Sequence, residues 1–287
     1  MKKIRNLVLI LIILMTTGCL KMDKMENINI VTTIYPIEYV TNRLYADYST
    51  IKSIYPKDSI AATYKMTKKQ LKDFSENDLF IYNGESDERD YATKMLNYNK
   101  KLKIIDAAYG LDSNYKSSDI WLNPSNMLMI GQNIKNELTD YITDPYLTQD
   151  IEQKYNLLKV DITELETEFK KASENATNNK IVVADESLNF LKKYGYEVIN
   201  LTEDKKLKEN NVAIARNLFA KKKLDYIFVI DHSNTNSIVD QLKKEYNVKI
   251  IKFRALDTIS ENDINNNDDY LSIMHDNINK LQKEIYK

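Results

Sequence analysis

The sequence predicts an α/β protein: two parallel-sheet lobes joined by one long backbone helix, with a ligand cleft between the lobes. Three observations carry this. Short apolar strands alternate with helical segments through the first half, and the same alternation returns in the second half. Between them, from about Leu147 to Ala176, runs a segment with no Gly or Pro and a single apolar stripe. Strand-helix-strand steps make parallel sheets covered on both faces. Ligands in such sheets bind beyond the carboxyl ends of the strands.

Each element has its own signal. "INIVTT" (Ile28 to Thr33) is an apolar strand ended by Pro36, and Ile37, Val40 and Leu44 then recur at helical spacing. "TIKSIYP" reads as a second strand, and Thr67 caps a helix over "TKKQLKDFSEN". "DLFIYNG" (Asp78 to Gly84) is a strand ending in an Asn-Gly turn, and "KLKIID" is a fourth. Asn123-Pro124 stops the chain after Trp121, and Ser125 stands where it can cap a helix carrying Met127, Ile130, Ile134 and Leu138. Ile151, Tyr155, Leu158, Ile162, Leu165 and Phe169 then mark the midpoint helix, about 45 Å long by helical rise. "KIVVAD", "EVINL", "DYIFVID" and "VKIIKF" are the strands of the second half, with helices between them. Leu271, Met274, Ile278, Leu281 and Ile285 stripe the last helix.

The amino terminus precedes the fold. Lys2, Lys3 and Arg5 form a basic region, and "LVLILIILM" is an apolar run too short to span a bilayer. "TTGC" follows, so residues 1–18 read as a lipoprotein signal peptide and Cys19 as the lipidated first residue of the mature chain. Residues 19–27 are a polar tether. The expected division beyond it is a lobe over 28–145, a linking helix over 146–177 and a second lobe over 178–287. Cys19 is the sole cysteine, so stability rests on core burial, with no internal disulfide. Without Lys2, Lys3 and Arg5 the 41 basic residues fall to 38, against 42 acidic ones. A mildly acidic chain argues against nucleic-acid binding.

Five segments, in order, resemble one family. "IVTTIYPIEYVTNRLYAD", "LKDFSENDLFIYNG", "DIWLNP", "LKKYGYEVINL" and "DDYLSIMHDNINKLQKEI" resemble the metal-binding lipoproteins of zinc and manganese ABC importers, also called the adhesin-lipoprotein family. The resemblance implies a bilobed fold with a rigid backbone helix. It also implies zinc or manganese as transported ligand, an importer permease as partner, a lipid-anchored extracytoplasmic location and a monomer. Four family ligand positions map here to Ala62, Asp119, Ala184 and Arg254. Alanine has no donor atom and arginine stays charged, so only Asp119 remains a candidate metal ligand. A degenerate metal site is the expectation. Asp119 and Arg254 carry opposite charges at facing positions, so an ion pair between them is expected to close the lobes in place of a metal.

Other donors stand at predicted strand ends: Asp185, Glu186, Asp231 and His232. They read as a relocated site or, for the acids, as caps of the helices that follow and, for His232, as an exposed loop histidine. His275, the other histidine, is expected in solvent, and Trp121 in the packing. Two further functions stay open. One is a relative that binds another solute, an anion being suited by Arg254 and Tyr64. The other is a surface interaction or adhesion lipoprotein. An enzyme is not expected: the chain has no Gly-rich phosphate loop and no His-Glu-x-x-His pattern.

Overall fold

The computed structural model describes residues 25–111, 119–202, 205–233 and 235–287. The signal peptide and Cys19 lie outside them. Two four-stranded sheets form, both fully parallel. The first holds β1 (Ile28–Thr32), β2 (Ser49–Ser53), β3 (Leu79–Tyr82) and β4 (Lys103–Asp106) in the order β2-β1-β3-β4. The second holds β5 (Lys180–Val183), β6 (Glu197–Asn200), β7 (Tyr226–Ile230) and β8 (Lys249–Phe253) in the order β6-β5-β7-β8. The two halves thus repeat one topology.

The crossovers are the expected ones. α1 (Tyr35–Tyr45), α2 (Lys68–Ser75) and α3 (Glu88–Tyr98) connect the first sheet, and α4 (Pro124–Tyr141) leads out of it. Thr67 caps α2 in a reciprocal box with Gln70. Between β5 and β6 the chain makes a 3-10 helix, Glu186–Tyr194, closed by Gly195 at φ 89°, a backbone that favours glycine. α6 (Lys205–Ala220), α7 (Ser237–Tyr246) and the short α8 (Glu261–Asn265) follow, and α9 (Tyr270–Ile285) ends the fold.

The long helix, α5, spans Pro145–Glu174 and has thirty residues. Asp144 caps it through the amides of Tyr146 and Leu147, and Pro145 occupies its first turn, where no amide donor is needed. Its stripe from Leu147 to Phe169 is buried. Gly131 on α4 lets that helix approach closely: a Cβ there would meet Leu158 at 3.3 Å.

The core does not divide between the sheets. One buried cluster runs from Met25 through both faces of the first sheet, along α5 and into Ile181, Val183, Phe228, Ile230 and Phe253 of the second sheet. The alternate side chains of that sheet, among them Val182, Ile199, Ile227 and Val229, pack separately against α6 and α7. Two-residue alternation therefore turns one face of the second sheet toward the rest of the molecule and the other toward its own helices. Among the described residues no helix is long and apolar enough to cross a membrane.

Candidate functional site

In each sheet the strand order reverses beside the first strand, between β1 and β3 and between β5 and β7. Such switch points open a crevice at the strand carboxyl ends. Here both crevices meet in one cavity of about 260 Å³. Ile34 and Asn83 reach it from just beyond β1 and β3, and His232 from just beyond β7. The turn after β3 is pinned by Asp106, which accepts from the Gly84 amide at 2.9 Å. A Cβ on Gly84 would lie 1.8 Å from that carboxylate, so the turn requires glycine.

Asp119 stands at the cavity's inner wall and is only 4% exposed. It crosses to the second lobe: its Oδ2 accepts from the Ser187 hydroxyl at 2.7 Å and lies 3.8 Å from His232 Nε2. Burial pushes its carboxyl up to about 6, against the lowering effect of the Ser187 bond and of His232. On the other side of the ring, His232 Nδ1 stands 3.7 Å from Asp257 Oδ1, beyond hydrogen-bond reach. The carboxylate of Asp257, and then that of Asp119, outweigh burial and push the imidazole up to about 9. His232 thus stands between two carboxylates, both of which favour its charged form.

Asp257 is itself fixed to the first lobe. Its Oδ2 accepts from the Ala61 amide at 2.9 Å, and its backbone carbonyl accepts from the amide of Tyr35, at the start of α1, at 2.9 Å. The preceding residue, Leu256, has φ 66°. A bulky side chain rarely takes that left-handed backbone, and such strain concentrates at functional positions.

Trp121 is buried in the packing, as expected, and also lines the cavity. Its indole N–H donates to the Ala255 carbonyl at 2.5 Å, and the Tyr270 hydroxyl donates to the Trp121 carbonyl at 2.8 Å. Tyr55, Tyr64 and Tyr91 add rings to the wall, beside Lys65, Glu85, Ser86 and Asp87. Beneath it Glu88 accepts from the Tyr55 hydroxyl at 2.9 Å and the Asn83 amide at 2.8 Å. Burial still raises its carboxyl to about 7.

Several expected positions move. Ala62 lines the cavity, as expected. Ala184 does not: it packs against the separate core of the second lobe. Asp185 is the residue whose charge bears on Asp119, while its own oxygens accept from the Ser187 amide at 2.9 Å and the Ser233 hydroxyl at 2.7 Å. It therefore caps the 3-10 helix while its charge bears on Asp119. Glu186 is not among the cavity's lining residues. Asp231 accepts from the Ala255 amide at 3.0 Å and braces the loop after β8.

The ion pair expected between Asp119 and Arg254 does not form. Arg254 holds Asp263 with both terminal nitrogens, at 2.7 and 2.6 Å. Asp263 is nearly buried and is also held by Ser260, so this bidentate pair takes the guanidinium. The cation facing Asp119 across the cleft is His232. With Arg254 committed, the case for an anionic solute loses its charge. His275 is half-exposed and pairs with Glu168 of α5 at 2.6 Å, where bare solvent exposure was expected. Asp257 and Ser187 were not identified from sequence. The signal for Asp257 was an aspartate in the loop just past the last strand, the end of a parallel sheet where ligands bind. Among the described residues no group of three His, Cys, Asp or Glu side chains is arranged to hold a metal ion.

The chain matches the family model described as "Zinc-uptake complex component A periplasmic" (ZnuA) over residues 30–284. It is 22% identical over 310 residues to the zinc-binding lipoprotein AdcA of Streptococcus pneumoniae, covering 99% of this chain and 61% of that protein. The chain therefore spans about 61% of the length of AdcA. It is 25% identical to the manganese ABC transporter substrate-binding lipoprotein scaA of Streptococcus gordonii, over the full length of both. Among solved structures, the Zn(II)-bound ZnuA-like domain of Streptococcus pneumoniae AdcA superposes with a TM-score of 0.72 at 20% identity, over 91% of this chain and 100% of that one. The metal-dependent lipoprotein YcdH of Bacillus subtilis gives 0.74 at 17%, with the same coverage of each. These structures confirm the two-lobed parallel-sheet fold, and the family match over nearly the whole described chain carries the conclusion: this protein belongs to the ZnuA family, the solute-binding components of zinc and manganese ABC importers.

Proposed function

We propose that this protein is an extracytoplasmic solute receptor of an ABC importer, anchored through lipid on Cys19, with a cation-seeking cleft whose metal site is degenerate. One observation carries the reading: Asp119 of the first lobe and Asp257 of the second converge across the cleft on His232. The cleft keeps the charge of a cation site while an internal imidazole occupies its centre. Ala62 offers no donor, and a divalent ion would have to displace or recruit His232 to gather a full set of ligands. Oxygen-rich donors suit manganese better than zinc, which takes three or four close N, S or O donors. A solute receptor needs no catalytic group, and no enzymatic role is assigned.

The test is isothermal titration of the metal-stripped protein with zinc and manganese chlorides. Dissociation constants weaker than about 10 μM are expected, equivalent to less than about 7 kcal/mol. Submicromolar binding of either ion would overturn the degenerate site. The receptor role is tested separately by crosslinking in membranes of the source organism. A specific crosslink to an ABC permease subunit is expected, and its absence at full expression would sink that role. Intact-mass analysis of the membrane-extracted protein, showing an N-terminal diacylglyceryl cysteine, tests the anchor.

A further inference from the structure

We infer that the pole of the first lobe, at the amino edge of its sheet, rests on the bilayer with the rings of Tyr98 and Tyr146 in the headgroup layer. The inference rests on the lipid anchor proposed above and adds which face of the protein that anchor holds against lipid.

The first support is where the described chain begins. Met25 is buried at the amino edge of the first sheet. Its carbonyl accepts from the Tyr45 hydroxyl at 2.7 Å, and its sulfur lies 3.1 Å from Lys103 Nζ. Tyr45 ends α1, and Lys103 opens β4. Cys19 stands six residues before Met25 in the sequence. Six residues reach at most about 20 Å even when fully extended. A lipid on Cys19 therefore keeps this edge close to the membrane surface, while the cleft lies at the opposite edge of the same sheet.

The second support is what the edge exposes. Helices that connect parallel strands run back to the amino edge, so α1, α2, α3 and α4 all end here and α5 starts here. Three tyrosines of this edge serve the fold. Tyr45 holds Met25, the Tyr48 hydroxyl donates to Asp150 at 3.1 Å, and the Tyr141 hydroxyl donates to the Ile104 carbonyl at 3.2 Å. Two others do not. Tyr98, the last residue of α3, is 48% exposed, and Tyr146, in the first turn of α5, is 83% exposed. A ring with an apolar body and a polar tip is the side chain that membrane interfaces take up.

The third support is charge. Exposed charges at this edge carry both signs, Lys100 and Lys101 with Glu76 and Asp78. That mixture suits a zwitterionic headgroup layer and gives no advantage to a partner of one strong charge. α5 then leads away from the membrane: its thirty residues span about 45 Å to the far pole. Tyr286, just past α9, marks that pole. Beside it the Ile285 carbonyl accepts from the Asn178 amide at 3.2 Å, and Glu284 accepts from the Tyr226 amide at the start of β7 at 2.6 Å.

The test places one reporter at a time in the full-length lipidated protein: Tyr98→Trp, Tyr146→Trp or Tyr286→Trp. Each is reconstituted into phosphatidylcholine vesicles with and without bromine on the acyl chains, which quenches tryptophan at short range. The unsubstituted protein, through the buried Trp121, sets the baseline. Bromine is expected to remove about half of the added emission at 98 and at 146, both in the interface. At 286 it is expected to remove less than about a tenth, because that site stands a helix length away. Intact mass checks the lipid on Cys19 in the same samples. Failure of quenching at 98 or at 146 in lipidated protein, or equal quenching at 286, overturns the inference and leaves the anchor standing. A mass without the lipid overturns the anchor and the inference together. Blue-shifted emission at 98 and 146 that bromine does not quench assigns the pole to a protein partner and overturns the inference.

Discussion

At the scale of single residues, the cleft shows how a charge can change partners without changing the fold. Arg254 was expected to face Asp119, but Asp263 sits nine residues on and, with Ser260, makes a ready bidentate acceptor. The pair predicts a pH dependence. Arg254 and Ser260 hold the Asp263 carboxyl at about 2, below its ordinary 3.8. Its contribution is therefore complete above pH 3.8 and is lost as pH falls through about 2. The shift corresponds to about 2 kcal/mol. Arg254→Met leaves Asp263 buried without its cation and is expected to cost about 2–4 kcal/mol near neutral pH. Urea unfolding should show the gap between the two proteins narrowing from about pH 5 to about pH 2; a constant gap would refute the assignment. Of the site itself, the sequence made Asp119 and Ala62 legible as cleft positions through their motifs, while His232, though at a strand end, read also as an exposed loop histidine. Asp257 was not legible, because the loop between Phe253 and α8 turns through a left-handed Leu256 that no periodicity announces. Ala184 faces away from the cleft because two-residue alternation puts it on the same side as Val182, toward the separate core of the second lobe.

At the scale of elements, legibility was high because the two periods are distinct. Strands such as Leu79–Tyr82, with all four side chains buried, read as unbroken apolar runs, as fully covered parallel strands should. The long helix read from its stripe alone, and its start at Pro145 lies one residue from the expected 146. The stripe and the cap make separable predictions. Asp144→Ala removes the acceptor of two first-turn amides and is expected to cost about 1 kcal/mol. Ile162→Ala, at a fully buried position, should cost about 2–5 kcal/mol through lost burial and the cavity left behind. Leu157 and Val160 lie on the same helix but are 64% and 63% exposed, so alanine at either should change stability by less than about 0.5 kcal/mol. Chemical denaturation of the four variants checks the order. An Ile162→Ala protein as stable as Leu157→Ala would show that the stripe is not packed as described.

At the scale of the whole molecule, the two lobes are one folding unit tied at three levels. α5 gives both sheets a common face, and the continuous cluster reaches from Met25 to Ile285 through it. Above that core, the loop after β8 is latched to the first lobe by bonds that need no ligand. Asp257 takes the Ala61 amide, Thr258 donates to the Ser59 carbonyl at 2.6 Å, and the Asp58 amide donates to the Ile259 carbonyl at 3.3 Å. Trp121 closes the inner end through the Ala255 carbonyl. A hinge between independent lobes would need few such links and separate cores. The second sheet could not keep Ile181, Val183, Phe228, Ile230 and Phe253 buried if the first lobe melted away from it, so unfolding of either lobe exposes the core of the other. Differential scanning calorimetry is therefore expected to show a single transition, with calorimetric and van't Hoff enthalpies equal within error, even without any solute. Trp121→Phe keeps the ring packing but strands the buried Ala255 carbonyl, and should lower that one transition by about 1–3 kcal/mol without splitting it. Two resolved transitions in the unsubstituted protein would contradict the shared core. A transition that splits only in Trp121→Phe would place the coupling in the latch rather than in the cluster along α5.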